Sequence, residues 1–315
     1  MKIILSRKGF DSGYGGCASP IFPDQSMASF PIPEVVSRHK MSQLSCGKHN
    51  LSVVARNLVP ASAEHPLSSA QTIHLDPYLR CVAENPPIGW TSAFGQDGTA
   101  QSHLGKQKVG PGDLFLFFGW FRRVEQINGR GPWTFVPNTP DLHVIFGWLQ
   151  VGEVLKVSEY QNHIWRTKYQ WLKDHPHIRH ANRYPKNNTI YVASRQLVID
   201  GQRMGRPGKK IPGGGTFGKF SSLLQLTHPD QPNRPLRRSI WQLPHWFSSF
   251  DTTGKHALTY HGNAKRWRDE PRHQTTVELH SVAKGQEFVL NLDGVPKIDA
   301  NKWLEKLFAK KSLEG

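Results

Sequence analysis

The sequence predicts an α+β protein built on a small, barrel-like β core with peripheral helices and long loops. Three observations predict it. Short apolar runs at 3–5, 114–118 and 143–157 read as buried strands. The last run carries Gly147 and Gly152, and glycine inside a strand suggests a bulge or sharp bend, as in a small closed barrel. Residues 17–72 are rich in Pro and Ser with little periodicity, so much of the first quarter is loop.

The elements follow in chain order. Ile3-Ile4-Leu5 is a first strand. Pro20, Pro23, Pro31 and Pro33 forbid a regular helix over 20–33, and only 35–45 has room for one. Asp76 before Pro77 suits a turn or a capped helix start. Pro111-Gly112-Asp113 is a turn feeding the strand Leu114–Phe118, and His143–Val157 is strand-like throughout. Trp165, Tyr169 and Leu172 have helical spacing. Segments 189–194, 196–200, 277–279 and 287–292 read as short strands, and the aromatic run 239–247 is broken by Pro244. Asp299 caps a closing helix in which Trp303/Leu307 and Leu304/Phe308 pair at i,i+4 and Lys310-Lys311 complement the C-terminal dipole. No polar linker divides the chain, so 1–315 is read as one composite unit, with a β core over 109–200 and a basic region over 201–315 that ends in the helix.

Composition narrows the partners. The 315 residues carry a formal charge of +16, with ten Trp and sixteen Phe. Residues 1–150 hold 13 Lys/Arg against 10 Asp/Glu, and the remainder 27 against 14, so the positive charge is concentrated in the second half. Clustered positive charge with many aromatics points to nucleic acid or nucleotides. Cys17, Cys46 and Cys81 are far apart and odd in number, which argues against disulfides and thiolate zinc and suits a reducing cytoplasm. Cys17 reads as a small filler residue. No stretch approaches the ~20 apolar residues of a membrane span.

Several sets of residues can carry chemistry. The first strand delivers Arg7, Lys8, Asp11 and Ser12 into a loop with Gly13, Gly15 and Gly16, where backbone N–H groups can approach a ligand. His74, Asp76 and Arg80 form a second polar set that could face the same pocket. Gly213, Gly214, Gly215, Gly218 and Lys219 fit G-x-x-x-x-G-K, but Phe220 stands where a P-loop has Ser or Thr, and the preceding strand ends near Asp200. A backbone cradle for phosphate or a flexible connection fits this run better than an ATPase loop. His175, His177 and His180 form H-x-H-x-x-H, and alternation puts the first two on one face of an extended segment, which a metal could use. Without ligands nearby beyond Asp174 they read as histidines on a basic loop facing phosphate or solvent, and no metal site is assigned. His261, followed by Lys265, Arg266 and Arg268, is either a general acid/base in a basic cleft or part of a backbone-binding surface helix. Gln286 and Glu287 sit at a strand start.

These same residues resemble a known family. Ser6 through Gly16 with Pro20, Pro23 and Asp24, then His74-Leu75-Asp76-Pro77, Gly112-Asp113, Arg238 through Pro244 and Gly285 through Phe288 are similar to the nucleotide modification associated domain family, third type. The resemblance spans nearly the whole chain. It implies a bacterial or phage setting linked to base modification, and no particular reaction. Residues 109–157 also resemble the Gly-Asp and Val-Gly-Glu-Val strands of PUA-like barrels, which hold RNA or modified bases.

The expectation is therefore a nucleic-acid or nucleotide base-modification protein, acting on or recognising bases in DNA rather than RNA, with unknown cofactor and oligomeric state. Arg7, Lys8, Asp11, Ser12, His74, Asp76 and Arg80 line the catalytic pocket, with Asp11 or Asp76 as base and Arg7 or Lys8 as electrophilic stabiliser. Gly15, Gly16, Gly213, Gly214, Gly215, Lys219, Arg237, Arg238, His261, Gln286 and Glu287 contact substrate or phosphate. One alternative is a non-catalytic reader whose Trp120, Phe121 and Trp148 cage a modified base. Another, a nuclease, needs a carboxylate cluster that the sequence does not display.

Overall fold

The computed structural model describes residues 1–13, 15–35, 37–60, 72–80, 86–184, 186–206, 208–231, 235–270, 275–283 and 285–309. Among them, twelve strands carry the architecture: β1 (Lys2–Arg7), β2 (Ser19–Ile21), β3 (Ala93–Gln96), β4 (Leu114–Gln126), β5 (Trp133–Phe135), β6 (Leu142–Lys156), β7 (Thr189–Ala193), β8 (Gly214–Thr216), β9 (Ile240–Pro244), β10 (Trp267–Asp269), β11 (Thr276–His280) and β12 (Glu287–Asn291). The main mixed sheet runs β12-β1-β4-β6-β7-β3, with β2 and β5 also on β4 and β8 on β6. A smaller sheet runs β9-β11-β10.

β1 is central. It runs parallel to β4, with Ile3 opposite Leu114, and antiparallel to β12, with Ile3 opposite Leu290. Ile3, Ile4 and Leu5 are fully buried, so the apolar run marks a strand covered on both faces. Successive residues of β7 enter different apolar clusters. Tyr191 joins Phe94, Phe115 and Trp148, while Ile190 and Val192 join Leu155, Trp171 and Leu172. The two-residue period of a strand thus packs both faces of the sheet.

β4 and β6 are longer than the apolar runs that signal them, because Trp120–Gln126 continues the ladder past Phe118. Bulges interrupt β6, between the partners of Phe117 and Phe118 and again between Val151 and Glu153. These are the glycine-bearing bends expected, but no closed barrel results. Among the described residues the terminal strands β3 and β12 share no backbone ladder. Helix α1 (Leu51–Leu58) is capped by Asn50, whose side chain accepts from Ser52 N. Helix α2 (Gly98–Lys106) leaves β3 directly and packs against β12, filling the place where a closing ladder would form. Side chains close the seam instead, Gln96 Nε2 donating to Glu287 Oε1 at 2.7 Å.

Helix α3 (Pro176–Arg179) is a short turn, and helix α4 (Lys297–Ala309) buries Leu304, Leu307 and Phe308. The Phe308 ring lies edge-on to Trp148 at 5.3 Å and near Phe217 at 5.5 Å. Asp299 lies inside the first turn of α4 rather than at its cap. Lys310 and Lys311 lie outside the described residues. The expected helix over 35–45 reduces to a 3-10 turn, Met41–Gln43. Asp76-Pro77 starts no helix; its peptide bond is cis. No helix among the described residues is long and apolar enough to cross a membrane.

Candidate functional site

The C-terminal end of β1 opens into a cavity of about 640 Å³. Arg7, Lys8, Asp11, His74 and Asp76 all line it, as do Glu34, Gln96, His177, Arg183, Tyr184 and Gln286. The strand and the His74–Asp76 loop therefore meet at one place. β1 reaches the cavity because its neighbours β4 and β12 hold it on both sides.

Several lining groups are held by their neighbours. Arg7 donates to the carbonyls of Ala283 (2.9 Å) and Val282 (3.0 Å) and lies over Phe118 and Phe288. Lys8 Nζ donates to Glu287 Oε1 at 2.8 Å and lies 4.6 Å above the Phe94 ring. Glu287 is buried and receives both Lys8 and Gln96, so it anchors the wall from behind. Asp11 Oδ1 accepts from Gly13 N at 2.8 Å and holds the loop turn.

The innermost group is a cluster of imidazoles around one carboxylate. Asp76 Oδ1 accepts from Gly95 N at 2.9 Å. Its Oδ2 lies 3.7 Å from His74 Nε2 and 3.5 Å from His177 Nε2. His175 Nε2 lies 3.5 Å from Oδ1. His175 and His177 are buried, which corrects the reading of a basic loop open to phosphate or solvent. The segment is not extended: His175 caps α3, its Nδ1 accepting from His177 N at 3.3 Å, and the turn carries both rings beneath Gly95. Tyr184 stacks on His177 with centroids 4.0 Å apart and planes 11° apart.

The electrostatics follow from this packing. Burial opposes a charge on His74, but the neighbouring Asp76 and Glu34 carboxylates outweigh it and raise the imidazole to about 9. Burial alone would raise Asp76, yet His175 and His74 hold its carboxyl well below the usual range. Burial dominates at His177 and lowers it to about 4.

Other expected residues lie elsewhere. Ser12 and Gly16 are exposed, and Gly15, at φ +84°, packs on the Phe10 ring. Arg80 donates to Thr216 Oγ1 at 2.6 Å and lines a neighbouring cavity with Gly214 and Gly215. The run 213–215 is no free loop. Gly214 and Gly215 pair with Leu149 and Trp148, and a Cβ on Gly213 would stand 2.2 Å from the Ser194 carbonyl oxygen. Close packing against neighbouring chain therefore accounts for these glycines. Lys219 pairs through its backbone with Ser26, in an isolated antiparallel β-bridge. The Arg238 guanidinium lies 4.0 Å from the Trp120 ring centre, and Arg237 is exposed. Gln286 is exposed at the cavity rim.

His261 does not head a basic surface helix. It is fully buried, its Nδ1–H donating to Thr259 O at 2.9 Å and its Nε2 accepting from Val282 N at 3.2 Å. Both ring nitrogens are used, and burial lowers it to about 4. Trp148 and Phe121 are fully buried in the core, so they form no cage with Trp120. Cys17 is buried and its thiol is pushed up to about 12, as suits a filler residue. Cys81 lies outside the described residues.

The cavity at the end of β1 thus gathers cations, a histidine–aspartate cluster and the Tyr184 ring. The family model for nucleotide modification associated domain 3 matches residues 2–291, and the chain belongs to that family. No curated protein and no solved structure matches it.

Proposed function

We propose that this protein modifies a base, in DNA rather than RNA or on a free nucleotide, inside the cavity at the end of β1. The observation that carries this reading is the convergence of Arg7, Lys8, Asp11, His74 and Asp76 on one cavity in a chain of a nucleotide-modification-associated family. Its volume, about 640 Å³, falls within the range of ~300–1,000 Å³ usual for ligand sites. A base in duplex DNA must leave the stack to be reached, and the Tyr184–His177 pair offers a flat face for it. Arg7, Arg183 and the exposed cations of the second half supply charge for the backbone. Asp11, half-buried at the rim, acts as the base, and Lys8, fixed by Glu287, stabilises negative charge as it develops.

The test is nucleoside mass spectrometry of DNA and RNA from cells expressing the wild type or Asp11→Asn. A new nucleoside present only with the wild type supports the reading. Identical nucleoside profiles, with no nucleotide or nucleic-acid binding by the purified protein, overturn it.

A further inference from the structure

We propose that His74, Asp76 and His177 bind a divalent first-row transition-metal ion, with its open coordination positions facing the cavity. The inference does not rest on the nucleotide reading. It rests on how three side chains from two distant segments are aimed.

One ligand atom from each residue can be chosen so that all lie within 4.8 Å of one another. Asp76 Oδ2 is 3.7 Å from His74 Nε2 and 3.5 Å from His177 Nε2. These separations are long for hydrogen bonds. They are close to the roughly 3–3.5 Å that separates adjacent ligands each about 2.0–2.2 Å from a metal.

The outer contacts fix which nitrogen each ring presents. Asn188 Nδ2 donates to His177 O at 2.9 Å, which turns Asn188 Oδ1 toward His177 Nδ1 at 2.7 Å. An amide oxygen only accepts, so Nδ1 carries the proton. Nε2 is then the nitrogen that faces the Asp76 carboxylate oxygen, 3.5 Å away, a separation that a shared metal ion fits. His74 has the same orientation, with Nδ1 3.2 Å from Glu34 Oε2 and Nε2 toward Asp76, and a metal at Nε2 would displace the proton that these carboxylates favour. Outer acceptors on Nδ1 with Nε2 turned inward are how metal-binding histidines are oriented.

A further buried group points to the same place. His175 is 0 % exposed, and its Nε2, 3.5 Å from Asp76 Oδ1, has no hydrogen-bond partner among the described residues. The donor set selects the ion. Two imidazoles and one carboxylate suit zinc, iron or cobalt, whereas magnesium and calcium prefer all-oxygen sites. Three protein ligands beside a cavity leave positions for water or substrate, as in catalytic rather than structural metal sites.

The test uses the full chain, stripped with chelator and without nucleotide. Co²⁺ is titrated by visible absorption and Zn²⁺ by calorimetry. One equivalent of Co²⁺ is expected to bind with the absorption bands of nitrogen ligation, and a large excess of Mg²⁺ should not displace it. His177→Ala and His74→Ala should each lower Zn²⁺ affinity at least a hundredfold. Glu34→Gln should lower it by about ten- to a hundredfold, as loss of an outer partner does. The exposed His163→Ala should leave it unchanged. The wild-type spectrum needs no variant, so a variant that fails to fold does not blunt the test. Absence of stoichiometric Co²⁺ binding by the wild type overturns the proposal. So does binding that folded His74→Ala and His177→Ala proteins retain in full. Metal binding without any modified nucleoside would sink only the function proposed above.

Discussion

The Gln96 side chain donates to the Glu287 carboxylate at 2.7 Å although the two residues stand on opposite terminal strands of the main sheet. Lys8 Nζ meets the same oxygen at 2.8 Å. The two ends of the sheet and the cavity wall therefore meet at one carboxylate.

Glu287→Ala should destabilise the fold far more than Gln96→Ala. Removing the carboxylate leaves the largely buried Lys8 ammonium unpaired, which costs about 3–5 kcal/mol. Removing the amide loses one hydrogen bond to a charged group, about 1.5–3 kcal/mol. Urea denaturation of the two variants measures this. Equal losses would show that Lys8 finds another partner.

Acid should weaken the protein before its carboxylates titrate. Burial, aided by Arg7 and Arg238, holds His143 well below its ordinary value, and its Nδ1 accepts from Trp241 Nε1 at 3.0 Å. Burial lowers His261 to about 4, with Arg266 and Arg7 adding to the effect. Below the ordinary imidazole value of about 6.5 the unfolded chain binds protons that the folded one refuses, so stability falls as pH drops from ~6.5 toward ~4. Tm measured across that window should decline steadily. His143→Gln, which keeps an acceptor for Trp241, should decline less steeply, and an unchanged slope would remove His143 from the account.

Gly213→Ala and Gly218→Ala should behave differently. The first places a methyl 2.2 Å from the Ser194 carbonyl oxygen, and the second meets nothing within 4 Å. Overpacking of this kind costs about 1–3 kcal/mol, so Gly213→Ala should lower Tm while Gly218→Ala leaves it nearly unchanged. A harmless Gly213→Ala would restore the free-loop picture of this segment.

Nucleic-acid affinity should depend steeply on salt, given the +16 charge. Contact with about three phosphates predicts a loss of roughly fortyfold between ~50 and ~200 mM salt. Filter binding measures it, and a flat response would remove electrostatics as the source of affinity.

The strands were legible because their signals are local. Ile3–Leu5, Leu114–Phe118 and Thr189–Ala193 announce buried strands by unbroken apolar side chains. The curl of the sheet was not, because it depends on α2, whose Gly98 start and thin apolar content give little periodic signal. Arg7, Lys8, Asp11, His74 and Asp76 stood out as polar residues beside apolar strands. His177 was hidden for a different reason. Its pairing with Asp76 spans about a hundred residues, and H-x-H spacing suggests an extended segment where Pro176 instead starts a turn. The missing ligand for that motif lay in the other polar cluster. His261 misled because basic neighbours suggest a surface, while its own two hydrogen bonds are to backbone deep in the fold.

The family match ends at residue 291, but the hydrophobic core continues through α4. A version of this protein trimmed to the matched stretch would lose Leu304, Leu307 and Phe308 together. It would strip that cover from the Trp148 ring on β6 and from the Phe217 ring just after β8. The boundary that sequence likeness draws and the boundary that packing draws are thus one helix apart, and an expressed fragment must respect the second.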